Sequence, residues 1–337
     1  MPKPYQGFSA PLERAGAVAA PVLRALREDL RALGYLHSGI TGTWTDQLDD
    51  AVQAIRLDLT HAKAPAVVKA YNAAGKVLAQ PVDHGVTAVE PALANIIAQM
   101  AADPAFVKLP RSDDPAAANK AAVDRVKTIF NGIAPTPFLL AMFRQESASR
   151  HFYVPTASNA DAYVVTGLDR NDKTAPKRIT SRGYGLGQYT IFHHPPTKVE
   201  RDSFILDPKQ NVSTAYAELR EKMDKFVINQ ADDRMAEFPL SPLRLCKYDK
   251  SDARYMKDCR ACAAAAPKRT INTGDSLYAG SATKFGPSQY YADTSYTNVP
   301  DRRKLGCDWP YAARRYNGSG INSFHYQFRI LKNLLLV

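Results

Sequence analysis

No stretch of this 337-residue chain is long and apolar enough to cross a bilayer, which excludes a membrane-spanning helix. The opening residues, Met1-Pro2-Lys3-Pro4-Tyr5-Gln6-Gly7, lack the apolar segment of a secretory signal. A protein with such a start that works outside the cytoplasm is expected to leave by another route. Cysteine is absent before Cys246, so disulfides and thiolate metal sites are excluded from everything upstream. No internal repeat or low-complexity tract stands out, which argues against a solenoid. The Lys and Arg residues are scattered and form no dense block, which argues against dedicated nucleic-acid binding.

What is present is an ordinary globular composition with a strong positive charge. The 44 Lys and Arg against 33 Asp and Glu leave a net +11. Beyond solubility, that charge favours an anionic partner: nucleic acid, a membrane surface or a bacterial wall. The length suits two domains or one large one. The four cysteines, Cys246, Cys259, Cys262 and Cys307, all lie late in the chain. Two disulfides fit them best. A four-thiolate zinc site is the rival, since Cys259 and Cys262 have knuckle spacing, but zinc ribbons usually carry two close pairs. Four free thiols are the third alternative.

Helical periodicity dominates, and the expected fold class is mainly α. Residues 1–12 read as a tail. Leu23, Leu26, Leu30 and Leu33 recur at helical spacing, and Gly34 suits the helix end. After the turn Gly39–Trp44, Thr45 or Asp46 can start a second helix with Leu48, Ala51, Val52 and Ile55 inward. Residues 60–86 are weakly patterned and read as connector. Val89, Leu93, Ile96, Ile97 and Met100 predict an amphipathic helix, broken at Leu109–Pro115. A helix over Ala116–Phe130 follows. Then an apolar run, Phe138 to Phe143, ends on one carboxylate, Glu146. Residues 149–180 read as a polar loop. Val212, Tyr216, Leu219, Met223, Phe226 and Val227 predict another amphipathic helix. Residues 239–300 read as a long irregular insertion, and Phe324–Val337 as a last helix.

Four motifs stand in one order: Arg144-Gln145-Glu146-Ser147, Gly185-Leu186-Gly187-Gln188, Asp207-Pro208-Lys209-Gln210-Asn211-Val212 and Tyr316-Asn317-Gly318. Together they resemble the goose-type lysozyme and lytic transglycosylase superfamily. Upstream, Gly39, Gly42, Trp44, Ala51 and Val52 resemble the small peptidoglycan-binding domain. Ala54-Ile55-Arg56 departs from that domain's usual pattern, which puts wall affinity in doubt. The resemblances imply a small three-helix peptidoglycan-binding module over 13–70 and a linker with a connecting helix over 71–115. They imply an all-α lysozyme-like domain over 116–337.

The resemblance also implies a chemistry. Glycosidic cleavage needs an acid for the leaving oxygen, and a carboxyl group desolvated at the end of an apolar helix suits that task. Glu146 is that acid, tuned by the hydroxyl of Tyr316. Ser147, Tyr184, Gly185, Leu186, Gly187, Gln188, Tyr189 and Asn317 are the substrate-binding candidates. Gln188 would grip an N-acetyl sugar, and the tyrosines, with Tyr290 and Tyr291, would stack on sugar rings. Asp161, Asp169 and Asp172 are the candidates for a second carboxylate. None flanks Gly183, which tips the expectation from a hydrolysing muramidase to a lytic transglycosylase with a 1,6-anhydro product. No cofactor and no metal is expected, although His193 and His194 are adjacent. The other classes are a non-catalytic wall-binding protein and a zinc-stabilised nucleic-acid binder. The expected partner is the glycan strand of peptidoglycan, reached in the periplasm without a secretory signal. Either a type VI secretion effector, with a carrier and an immunity protein, or a phage endolysin fits.

Overall fold

The computed structural model describes residues 1–75, 88–129, 136–170 and 178–222. Near the end of the chain it also describes Ala312, Ala313, Arg315, Tyr316, Asn317, Tyr326, Arg329, Ile330, Asn333 and Leu336. The expected insertion, the four cysteines, Asp172, Tyr290 and Tyr291 lie outside the described residues.

Among the described residues the fold is mainly helical, with eight α-helices and two small antiparallel sheets. In chain order these are β1 (Leu12–Glu13), α1 (Ala20–Ala32), α2 (Asp46–Thr60), α3 (Ala66–Gly75), β2 (Ala88–Val89), α4 (Pro91–Ala102), α5 (Pro115–Ile129) and α6 (Thr136–Ser147). Then come β3 (Thr166–Asp169), β4 (Ser181–Tyr184), β5 (Tyr189–Ile191), α7 (Lys198–Glu200), a π-turn over Arg201–Ile205, and α8 (Pro208–Lys222). No helix among the described residues is long and apolar enough to cross a membrane. The chain divides into two compact units. One is Met1–Ala122 with Arg150–Val212, the other Val123–Ser149 with Ser213–Val337.

In the first unit, α1 buries Leu23, Leu26, Leu30 and Leu33, as the leucine spacing predicts. Gly34 ends the helix at φ +85°, where a side chain would be strained. Tyr35 N–H reaches Leu30 O (2.9 Å) and Gly34 N–H reaches Arg31 O (3.0 Å), a Schellman closure. Thr45 precedes α2, but its hydroxyl accepts from Arg27 Nη1 (3.0 Å) instead of capping the helix. Leu48, Ala51, Val52 and Ile55 are fully buried beside α4 residues Leu93, Ile97 and Met100 in one core. The expected connector holds α3, anchored by buried Val68. Its run is too short and too alanine-rich to show a periodicity of its own.

β3 stands within the stretch 149–180 that reads as polar loop, and it pairs into a sheet of order β3-β4-β5. Its strands have three or four residues, fewer than alternation needs to become visible. Arg31 locks α1 to the segment leading into this sheet. Its guanidinium, fully buried, donates to Asp161 Oδ2 (2.8 Å), Thr166 Oγ1 (2.8 Å), Val164 O (2.6 Å) and Leu36 O (3.3 Å). Asp161, also fully buried, accepts from the N–H of Tyr163 (3.0 Å) and Gly39 (3.3 Å). A second enclosed pair, Arg182 with Asp58 (2.7 Å), ties β4 to α2.

Removing one partner of an enclosed ion pair strands the other charge. Asp161→Ala is therefore expected to lower stability by about 3–5 kcal/mol. Replacing both partners, Asp161→Leu with Arg31→Met, is expected to recover most of that loss. Urea denaturation of the single and double variants measures both.

Candidate active site

In the second unit, α6 buries Leu139, Ala141, Met142 and Phe143, so its last turn delivers Glu146 from an apolar base. Ser147 is buried, and its hydroxyl donates back to Phe143 O (2.9 Å). Ala148 and Ser149 follow at φ +55° and +58°, left-handed conformations that strain side-chain-bearing residues. Ser149 N–H reaches back to Phe143 O (3.1 Å), so the reversal is closed by the helix's own carbonyl. Left-handed backbone two and three residues after Glu146 sets the direction in which the chain leaves α6.

The hydroxyl of Tyr326 donates to Glu146 Oε1. Tyr326 is 6% exposed. Burial, with the Glu146 carboxylate next in weight, pushes its pKa well above the usual phenol range. It therefore stays a donor at any ordinary pH. Tyr316, expected as the phenol beside Glu146, lies with its ring centroid 6.4 Å from that of Tyr326. Asn317 is exposed, and its N–H lies 3.4 Å from Ala313 O. Tyr326 is invisible as a donor from sequence, because an aromatic in an apolar helix reads as packing.

In the first unit, Gly185–Gln188 is the four-residue turn joining β4 to β5. Three groups hold it. Gly185 N–H donates to Val165 O (2.8 Å) on the approach to β3. Leu186 N–H donates to His151 Nδ1 (3.2 Å), and Gly187 N–H to Asn211 Oδ1 (2.6 Å). Asn211 Nδ2 in turn donates to Tyr184 O (2.9 Å) and Phe204 O (2.8 Å). His151 Nε2 donates to Ile205 O (2.9 Å). The π-turn thus supplies the carbonyls that orient both side chains. At Gly185, φ +78°, an added Cβ would lie 2.7 Å from His151 and 2.8 Å from Asn211 Oδ1, so only glycine fits.

Gln188 takes φ +53°, and its Nε2 donates to Gly185 O (2.6 Å). Its Oε1 lies over Gly183 and Gly167, paired positions of β4 and β3 that leave room for it. Tyr184 is fully buried; its hydroxyl donates to Gly34 O (2.9 Å) and accepts from Arg182 Nε (3.1 Å). Tyr189 is half-buried and stacks on Phe204 at 4.7 Å. Asp169 is exposed and accepts from Ser181 Oγ (3.0 Å), while Asp161 is the partner of Arg31. His193 stacks on His61 at 3.7 Å, and His194 Nδ1 donates to Pro195 O (2.8 Å). Among the described residues no group of three or more His, Cys, Asp or Glu could hold a metal ion.

The bonds of His151 require the neutral ring, with its proton on Nε2. Burial lowers its pKa to about 4. A histidine in the unfolded chain titrates near 6.5. The stability of the neutral ring is therefore present above about 6.5 and lost as pH falls towards 4, on the order of 3 kcal/mol. His151→Gln is expected to be less stable at pH 7 and to have a flatter stability profile between these limits. Denaturant titrations at several pH values test both.

No protein-family model, no curated protein and no solved structure matches the chain.

Proposed function

We propose that the protein is a peptidoglycan-degrading glycosidase cleaving the β-1,4 bond between N-acetylmuramic acid and N-acetylglucosamine. Glu146 is its acid and base, and the product is a 1,6-anhydro sugar. The observation that carries the reading is the buried phenol of Tyr326 donating to Glu146 at the end of an apolar helix. A carboxyl group with one oxygen held by a fixed donor is oriented for proton transfer. Glu146 protonates the bridging oxygen as the glycosidic bond breaks. The C6 hydroxyl of the muramic residue then attacks C1, and its proton passes to Glu146.

This route needs one carboxylate, whereas hydrolysing enzymes generally use two. The engagement of Asp161 with Arg31 takes that candidate out of the role of second carboxylate, which favours the one-carboxylate route. In the first unit, the clasped Gly185–Gln188 turn suits recognition of a saccharide, because its glycines let the backbone approach a ligand closely. The helical module with Trp44 would add wall affinity. The enzyme would act in the periplasm as a secreted effector with a carrier and an immunity protein, or as a phage lysin.

Digestion of purified sacculi, with mass spectrometry of the fragments, tests the reading. Anhydro ends, lighter by one water than hydrolysis products, are expected. Glu146→Gln is expected to lower the rate by about 10³-fold, and Tyr326→Phe by about tenfold. Unchanged lysis by Glu146→Gln would remove the assignment.

A further inference from the structure

Outside these elements the first unit has a cavity of about 350 Å3 beyond the last turn of α4. Its floor is apolar and small: Ala101, Phe106 and Val107 are nearly buried. Its rim carries Lys108, Lys198 and Arg201. Lys198 and Arg201 share one carboxylate, Asp202, at 2.5 Å and 2.7 Å. Lys108 pairs with no acid among the described residues. The lining also includes Asp103, which accepts from Tyr71 and from Ala105 N–H (2.8 Å). It stands at the C-terminal end of α4, where the helix dipole is negative. The cavity lining therefore combines surplus positive charge, one carboxylate at a helix C-terminus and an apolar floor.

We infer that this cavity binds a short peptide with small side chains, free carboxylates and one free ammonium. Given the proposed function, on which this step rests, that ligand is the peptide stem of peptidoglycan. Its carboxylates meet Lys108, Lys198 and Arg201, and alanine methyls cover Phe106 and Val107. The ammonium of its diamino acid turns to Asp103 and the α4 carbonyls. Binding here would hold a wall strand through its peptides, independently of the sugar chemistry.

Calorimetric titration of the full chain with a sugar-free tetrapeptide stem containing diaminopimelate tests this. Saturable binding is expected. It should weaken about tenfold in Lys108→Glu, with a similar loss when the peptide carboxylates are amidated. Lys198→Gln should weaken it less, because Asp202 already shares that charge. Both lysines are exposed, so the variants should fold, and circular dichroism checks that. No saturable binding, or binding indifferent to both amidation and Lys108→Glu, overturns the inference. Sacculus cleavage without stem binding sinks this inference alone, and stem binding without cleavage sinks the glycosidase reading alone.

Discussion

The guanidinium of Arg31 is the constraint on which the first unit depends. A fully buried cation is tolerable only if its donors are met, and here Asp161, Thr166 and three backbone carbonyls meet them. All but Leu36 lie 130 to 135 residues downstream of Arg31, so the contact also fixes topology. It brings the segment before β3 against the first helix. β3 then templates β4, and β4 turns into β5.

That sheet matters because of what hangs from its end. A four-residue turn with two glycines would sample many conformations alone. Side chains from outside the hairpin hold this one: His151 from the segment after α6, and Asn211 from the first turns of α8. The Asp-Pro pair at the start of α8 has a physical role. Asp207 accepts the Lys209 N–H (2.9 Å) at the helix start, and Pro208 fills a position needing no donor. Asn211 follows within the same turns and reaches the Gly185–Gln188 backbone. The motif spacing is thus the geometry of one helix start.

The second unit uses a different device. There a carboxylate, not a backbone turn, is held, and a buried phenol holds it. The strained reversal at Ala148 and Ser149 is retained beside it, as at sites where position outweighs local comfort. A phenol hydrogen bond holds the group in one unit, and side chains that accept backbone N–H groups hold the turn in the other.

The amphipathic helices were legible in the sequence because periodic burial leaves a periodic trace. Leu23 to Leu33, Leu48 to Ile55 and Leu93 to Met100 are inward as their spacing requires. Gly34 as a helix end, Glu146 at the tip of an apolar helix and Asn211 within a helix start were also readable, since each depends on neighbours a few residues away. The short strands, α3, the His151 clasp and the Tyr326 donor were not. The strands are too short for alternation to show, and the partners of His151 and Tyr326 lie 35 and 180 residues away, where local pattern carries no record of a pairing. Sequence by itself determined the amphipathic helices and the order of the motifs along the chain. Tertiary structure alone decided which polar groups face one another, because a hydrogen bond is set by distance in space and not along the chain.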